Sequence, residues 1–159
     1  MSFFPRNPLN PEAATTVTQC LQDTLVTLID LALQGKQAHW NVYGSQFLSV
    51  HEKLDEVVAS ARNGGDTLAE RIVQLGRPAD GRAGTVSSAS PLPAYPDGMQ
   101  SVPETLTAIC DRLKQVSDLM YDAIRTCEEP DPLTGDYLIA INQELNEHLW
   151  MLQAMEKSA

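Results

Sequence analysis

Four long stretches of this 159-residue chain repeat their apolar residues every three or four positions, and the spacers between them run short, long, short. This pattern constrains the fold more than any other feature. Apolar residues at i, i+3, i+4 and i+7 form one face of an α-helix, and four such faces bury one another as a bundle. The first stretch opens at Asn10-Pro11-Glu12, a capping residue followed by proline in the first turn. It continues through Val17, Leu21, Leu25, Leu28 and Ala32 and stops near Gly44. The second runs over about 45–75, from Phe47 and Val50 to Ile72 and Leu75. Gly64-Gly65 interrupts it at roughly 1 kcal/mol per glycine against alanine, which leaves a break there open. Residues 76–101 are rich in Gly, Pro and Ser and too numerous for an ordinary connection. They are expected to cross the length of the bundle and to hold a short helix near 82–88. Ser101-x-x-Glu104 then reads as a capping box ahead of the stripe Leu106, Ile109, Leu113, Val116, Met120 and Ile124. Asp131-Pro132 opens the fourth stretch, with Leu138, Ile141, Leu145, Leu149 and Leu152. The expectation is one all-α domain over 1–159, with a short tail at 1–11, a crossover at 76–101 and ferritin-like connectivity.

Composition narrows the function. The formal net charge of −10 disfavours a surface that grips phosphate backbones and suits either plain solubility or attraction of cations. Cys20, Cys110 and Cys127 are odd in number and far apart, which points to reduced thiols acting as small core hydrophobes. With neither a membrane-length apolar run nor a signal-peptide pattern, the expected compartment is the cytoplasm.

The residues with chemistry cluster by spacing. Two of the three histidines, His39 and His51, flank the first turn. At 1.5 Å per residue on antiparallel helices, both lie roughly 7–9 Å from it. Asp55 is one turn beyond His51 on the same face. His, His and Asp at one level form half of a site for iron or zinc. Asp66 and Glu70 make a second i, i+4 pair on the same helix stripe, yet Glu70 lies roughly 28 Å along the axis from His51. No single ion spans that distance. If two copies of the second helix cross antiparallel near residues 60–61, His51 and Asp55 of one copy face Asp66 and Glu70 of the other. Symmetry then gives two identical sites per dimer, with Gly64-Gly65 permitting close approach near the crossing. The plainer alternative is that each pair is an ordinary surface interaction, with Asp66 and Glu70 bonded to Arg62 or Arg71.

At these residues the chain resembles the Dps family, the DNA-protecting mini-ferritins of bacteria. The resemblance rests on Lys36-Gln37-Ala38-His39-Trp40-Asn41-Val42-Tyr43-Gly44, on His51-Glu52-Lys53-Leu54-Asp55-Glu56, and on the run from Asp66-Thr67-Leu68-Ala69-Glu70 to Gly76. Pro91-Leu92-Pro93-Ala94-Tyr95-Pro96 and Leu149-Trp150 also match, so it covers about residues 14–155. The resemblance implies a hollow homododecamer of four-helix subunits. That shell would act as a ferroxidase, oxidising Fe²⁺ with H₂O₂ (or O₂) at dinuclear iron sites and storing ferric mineral. Zinc or other divalent ions could substitute there. It also implies that His39, His51 and Asp55 are the ligands from one subunit and Asp66 and Glu70 those from its two-fold partner. Lys36 and Trp40 would flank the site, Trp40 equally well as interface packing, while Trp150 reads as core. Glu128, Glu129, Asp131 and Asp136 crowd the turn where the family has an acidic pore, and Asp136 aligns best with a pore carboxylate. Departures from the family pattern are the glycine pair, the acidic Asn142-Gln143-Glu144-Leu145-Asn146-Glu147, and a tail at 1–11 with a single basic residue, Arg6. The tail argues against direct DNA binding, although a DNA-compacting nucleoid protein remains the rival reading, as does a structural metal-binding dimer without turnover.

Overall fold

The computed structural model describes residues 3, 4 and 6–157. Helix α1, Pro11–Asn41, starts where the Asn10 side chain accepts from the Ala13 N–H at 2.9 Å. That bond satisfies one of the amides a helix start leaves without a partner. Strand β1, Val42–Tyr43, leads into a turn with Gly44 at φ 115° and Gln46 at φ 64°. Helix α2 then runs over Phe47–Gln74. The short helix of the crossover, α3, is Ala83–Ala89, and strand β2 is Gln100–Ser101. Helix α4 spans Val102–Cys127 and opens on the expected capping box: the Ser101 N–H donates to Glu104 Oε2 at 2.9 Å, and the Glu104 N–H donates to Ser101 Oγ at 3.5 Å. Helix α5, Pro132–Glu156, follows a tight turn.

Helix α1 packs on α2 and α4, and α2 and α4 each pack on α5. The core is a single cluster that includes the fully buried Leu21, Leu28, Leu54, Leu68, Leu106, Leu113 and Leu138. Each such side chain contributes roughly 1.5–3 kcal/mol by leaving water. Strands β1 and β2 pair in parallel, Val42 opposite Gln100 and Tyr43 opposite Ser101. The bridge holds the end of α1 beside the start of α4, so these two helices run antiparallel. A two-residue bridge between segments this far apart leaves no periodicity in the sequence from which it could be read. No helix among the described residues is long and apolar enough to cross a membrane.

Two expectations change. Helix α2 passes through Gly64-Gly65 unbroken, and both glycines face into the subunit. A Cβ on Gly64 would meet Ile141 Cγ2 at 2.8 Å, and one on Gly65 would meet Leu25 Cδ1 at 3.6 Å. The pair therefore lets α2 approach α5 and α1, which differs from the subunit crossing expected of it. Trp150, expected in the core, is 65% exposed in the single chain, because the α5 positions at Leu149 and Leu152 take the inward face. The tail at 1–11, which falls partly outside the described residues, is fastened to the end of α2. There the Phe3 N–H donates to Gly76 O at 3.1 Å and Asn7 Nδ2 donates to Leu75 O at 2.6 Å.

Two buried arginines complete the frame. Arg71 Nη2 donates to Asp131 Oδ2 at 2.7 Å and its Nε to Thr134 Oγ1 at 3.1 Å, joining the end of α2 to the start of α5. Arg112 bonds Gln34 on α1 and donates to the carbonyls of Pro93 at 3.2 Å and Ala94 at 2.8 Å, with its guanidinium 5.3 Å from the Tyr95 ring. It pins the crossover to the bundle.

Candidate metal centre at the first corner

The turn between α1 and α2 sets His39 and His51 face to face, their rings stacked with centroids 3.6 Å apart and planes 20° from parallel. His39 Nδ1 lies 2.8 Å from the His51 carbonyl oxygen, and His51 Nδ1 lies 2.9 Å from the His39 carbonyl oxygen. A carbonyl can only accept, so each Nδ1 must carry the proton and each neutral ring keeps its Nε2 lone pair free. Backbone bonds of this kind orient metal-binding histidines in general. The Phe47 ring, 5.0 Å from the His51 ring, adds an apolar wall.

Asp55 sits at the same level, with Oδ1 3.4 Å from His39 Nδ1. Lys36 donates a short hydrogen bond to that oxygen. The bond holds the Asp55 carboxyl below its ordinary range, helped by the Lys36 charge. The carboxylate is exposed and carries its charge at neutral pH. Trp40, beside His39, is 67% exposed in the single chain.

The single chain thus brings His39, His51 and Asp55 together and leaves Asp66 and Glu70 apart, further along α2. Asp66 and Glu70 are both exposed. Among the described residues neither side chain has an ion pair or hydrogen bond, and Arg71 turns inward to Asp131 instead. Among the described residues of one chain no group of three His, Cys, Asp or Glu side chains is placed to hold a metal ion, the His39, His51 and Asp55 trio included. The third histidine, His148, is buried between α5 and α2, with Nε2 2.9 Å from Ser60 Oγ, and burial lowers its pKa.

Of the acids near the α4–α5 turn, Glu128, Glu129 and Asp136 are exposed. Asp131 is buried on Arg71 and Thr134, which removes it from any surface path. Sequence reasoning missed this pairing, and it missed Arg112, because a buried arginine looks like any surface arginine until its distant partners are known.

Residues 18–157 match the ferritin-like domain family, so the chain is a ferritin-like protein. The DNA protection during starvation protein of Agrobacterium fabrum is 42% identical over 156 residues, covering 96% of each chain. The protein of that name from Mycolicibacterium smegmatis is 33% identical over all of this chain and 87% of its own length. Among solved structures, Dps from Microbacterium arborescens in a high-iron form is 36% identical, with a TM-score of 0.87 over 92% of this chain and 95% of that one. The tetragonal form of Mycobacterium smegmatis Dps is 32% identical, with a TM-score of 0.92 over 98% and 94%. Within the ferritin-like proteins, this chain belongs to the Dps family.

Proposed function

We propose that this protein is the subunit of a dodecameric mini-ferritin that oxidises Fe²⁺ with H₂O₂ (or O₂) at sites shared by two subunits and stores the ferric product. The observation that carries the reading is the histidine pair at the first corner, both Nδ1 atoms committed to backbone and both Nε2 atoms free, at the level of Asp55. One subunit supplies His39, His51 and Asp55, and the partner supplies Asp66 and Glu70. The unpaired state of Asp66 and Glu70 supports this, as does an apolar groove of about 420 Å³ at mid-α2, lined by Leu25, Ile29, Leu33 and Ala61 with Asp66 at its edge. A second α2 crossing there covers the groove and delivers both carboxylates to the facing corner.

Imidazole and carboxylate together suit Fe²⁺ and Zn²⁺ alike. A doubly charged ion competes with Lys36 for Asp55, so loading releases the ammonium from its bond. Two Fe²⁺ ions each yield one electron to one H₂O₂, which takes up two protons and leaves as two waters. Paired one-electron donors complete the reduction without freeing a hydroxyl radical. Glu128, Glu129 and Asp136 provide an acidic approach for the cation.

Anaerobic loading of metal-free protein with Fe²⁺, followed by stoichiometric H₂O₂, tests the reading through the ferric absorbance. Wild type should oxidise iron rapidly and hold the product at the mass of the shell, and His39→Ala/Asp66→Ala should lose the rapid phase. Equal, slow oxidation in both proteins contradicts it. The relatives' names favour a second reading, direct protection of DNA by binding. The net charge of −10 weighs against it. A strong, salt-sensitive DNA mobility shift at neutral pH would reverse that weighting.

A further inference from the structure

Far from the histidine corner, the antiparallel packing of α1 on α4 brings the early part of α1 against the end of α4. Cys20 on α1 directs its thiol at the Ala123 carbonyl oxygen, with Sγ 3.9 Å away. Cys127 is one helical turn beyond Ala123 on the same face of α4. Because helical side chains lean toward the N-terminus, the Cys127 side chain tilts back over the turn that Cys20 touches. Cys127 is fully buried in the core, whereas Cys20 is partly exposed at its edge. Cys20 also lines an open cavity of about 330 Å³ with Thr24, Thr27, Leu119, Ala123 and Thr126. One thiol of the pair therefore faces solvent through a cavity and the other stands behind it.

From this arrangement we infer that Cys20 and Cys127 form a peroxide-reactive dithiol, Cys20 the sulfur attacked first and Cys127 the sulfur that resolves it into a disulfide tying α1 to α4. The chemistry balances. Cys20 sulfur, as thiolate, attacks one oxygen of H₂O₂; the O–O bond breaks, and the departing hydroxide takes a proton and leaves as water. Cys20 is then a sulfenic acid. Cys127 sulfur attacks Cys20 sulfur, the S–O bond breaks, and the second oxygen leaves as water with the Cys127 proton. Two thiols lose two electrons, and one peroxide becomes two waters.

The surroundings favour this order. A hydrogen bond from the Cys127 thiol favours the Cys20 thiolate and lowers its pKa, against the opposing effects of burial and Asp23. The same bond and burial push the Cys127 thiol up, so it remains the protonated member. Asp23 and Asp122 stand at the rim of the cavity. Their charges repel anionic oxidants and anionic thiols but admit an uncharged hydroperoxide. Cys110, the remaining cysteine, serves as an internal control, since burial and the nearby Glu156 and Asp111 push its pKa up to about 12.

The test uses the full-length protein, metal-free and held in chelator, so that neither outcome bears on iron oxidation. One equivalent of H₂O₂ per chain should remove two of the three thiols titratable after denaturation. It should lower the intact mass by two hydrogens and yield a peptide pair linked through Cys20 and Cys127. Cys20→Ser should keep both of its remaining thiols under the same treatment. Cys127→Ala should stop at an oxidised Cys20 that a sulfenic-acid trap captures. Survival of all three thiols in wild type overturns the inference, as does loss of Cys110 at the same rate, or a disulfide between chains. The wild-type titration and mass need no variant, so they remain decisive even where a Cys127 substitution fails to fold.

Discussion

His39 and His51 each commit one nitrogen to the fold and leave the other to chemistry, so the tautomer a metal needs is set by the turn itself. Their positions flanking Gly44 were readable because a turn and a helical rise fix the height of nearby residues. Arg71 and Asp131 show what such reasoning cannot reach. Arg71 read as a surface partner for Asp66 or Glu70 and Asp131 as one of the acids near a pore, and each instead satisfies the other inside the protein. Their removal should be costly in one direction only. Asp131→Ala strands a buried guanidinium and should lower stability by about 3 kcal/mol or more, whereas adding Arg71→Met should restore part of the loss. Urea unfolding of the two variants measures both effects. A single variant as stable as wild type would mean that the pair contributes nothing.

At the scale of elements, the helices were legible from local signals: the Asn10 cap, the Ser101–Glu104 box, the proline starts and the apolar stripes. These act within three or four residues, so the sequence contains both partners. The β1–β2 bridge, the Arg112 anchor and the inward role of Gly64-Gly65 depend on partners that the fold alone brings near. The two glycines make opposite predictions. Gly65→Ala gains helix propensity at an ordinary contact distance and should stabilise by roughly 0.5–1 kcal/mol. Gly64→Ala drives a methyl into Ile141 and should destabilise by about 1 kcal/mol net, an overpacking cost that exceeds the propensity gain. Thermal unfolding of the two variants compares them directly, and equal shifts would contradict the packing account.

The crossover has its own pH signature. Asp80 accepts from Arg82 Nε at 2.9 Å and from Thr85 Oγ1 at 2.9 Å, which fastens the start of α3. The Arg82 guanidinium holds the Asp80 carboxyl far below the usual carboxylate range. A depressed folded pKa means that the stabilisation is fully present above the unfolded value and is lost as pH falls through the folded one. Protection of the amides in residues 80–90, taken against the intrinsic exchange rate at each pH, should therefore hold above about pH 4 and decline progressively in stronger acid. Protection unchanged across that acid range would show that Asp80 is not held this way.

For the whole molecule, half of the candidate site was legible in one chain and half only by invoking symmetry. His39, His51 and Asp55 meet within the subunit. On the proposed assembly Asp66 and Glu70 acquire a role only through a second copy, which is why spacing along α2 spoke to assembly as much as to ligands.

That sharing in trans is the central claim, and subunit mixing tests it most directly. His39→Ala and Asp66→Ala proteins, each prepared alone, should lack rapid Fe²⁺ oxidation by H₂O₂. Dissociated, combined in equal amounts and reassembled, they should regain about a quarter of wild-type sites, because half the dimers are mixed and each mixed dimer holds one intact site. If every site were built within one chain, every mixed site would still carry a defect. The mixture would then be as inactive as its parents, and that result would contradict the account.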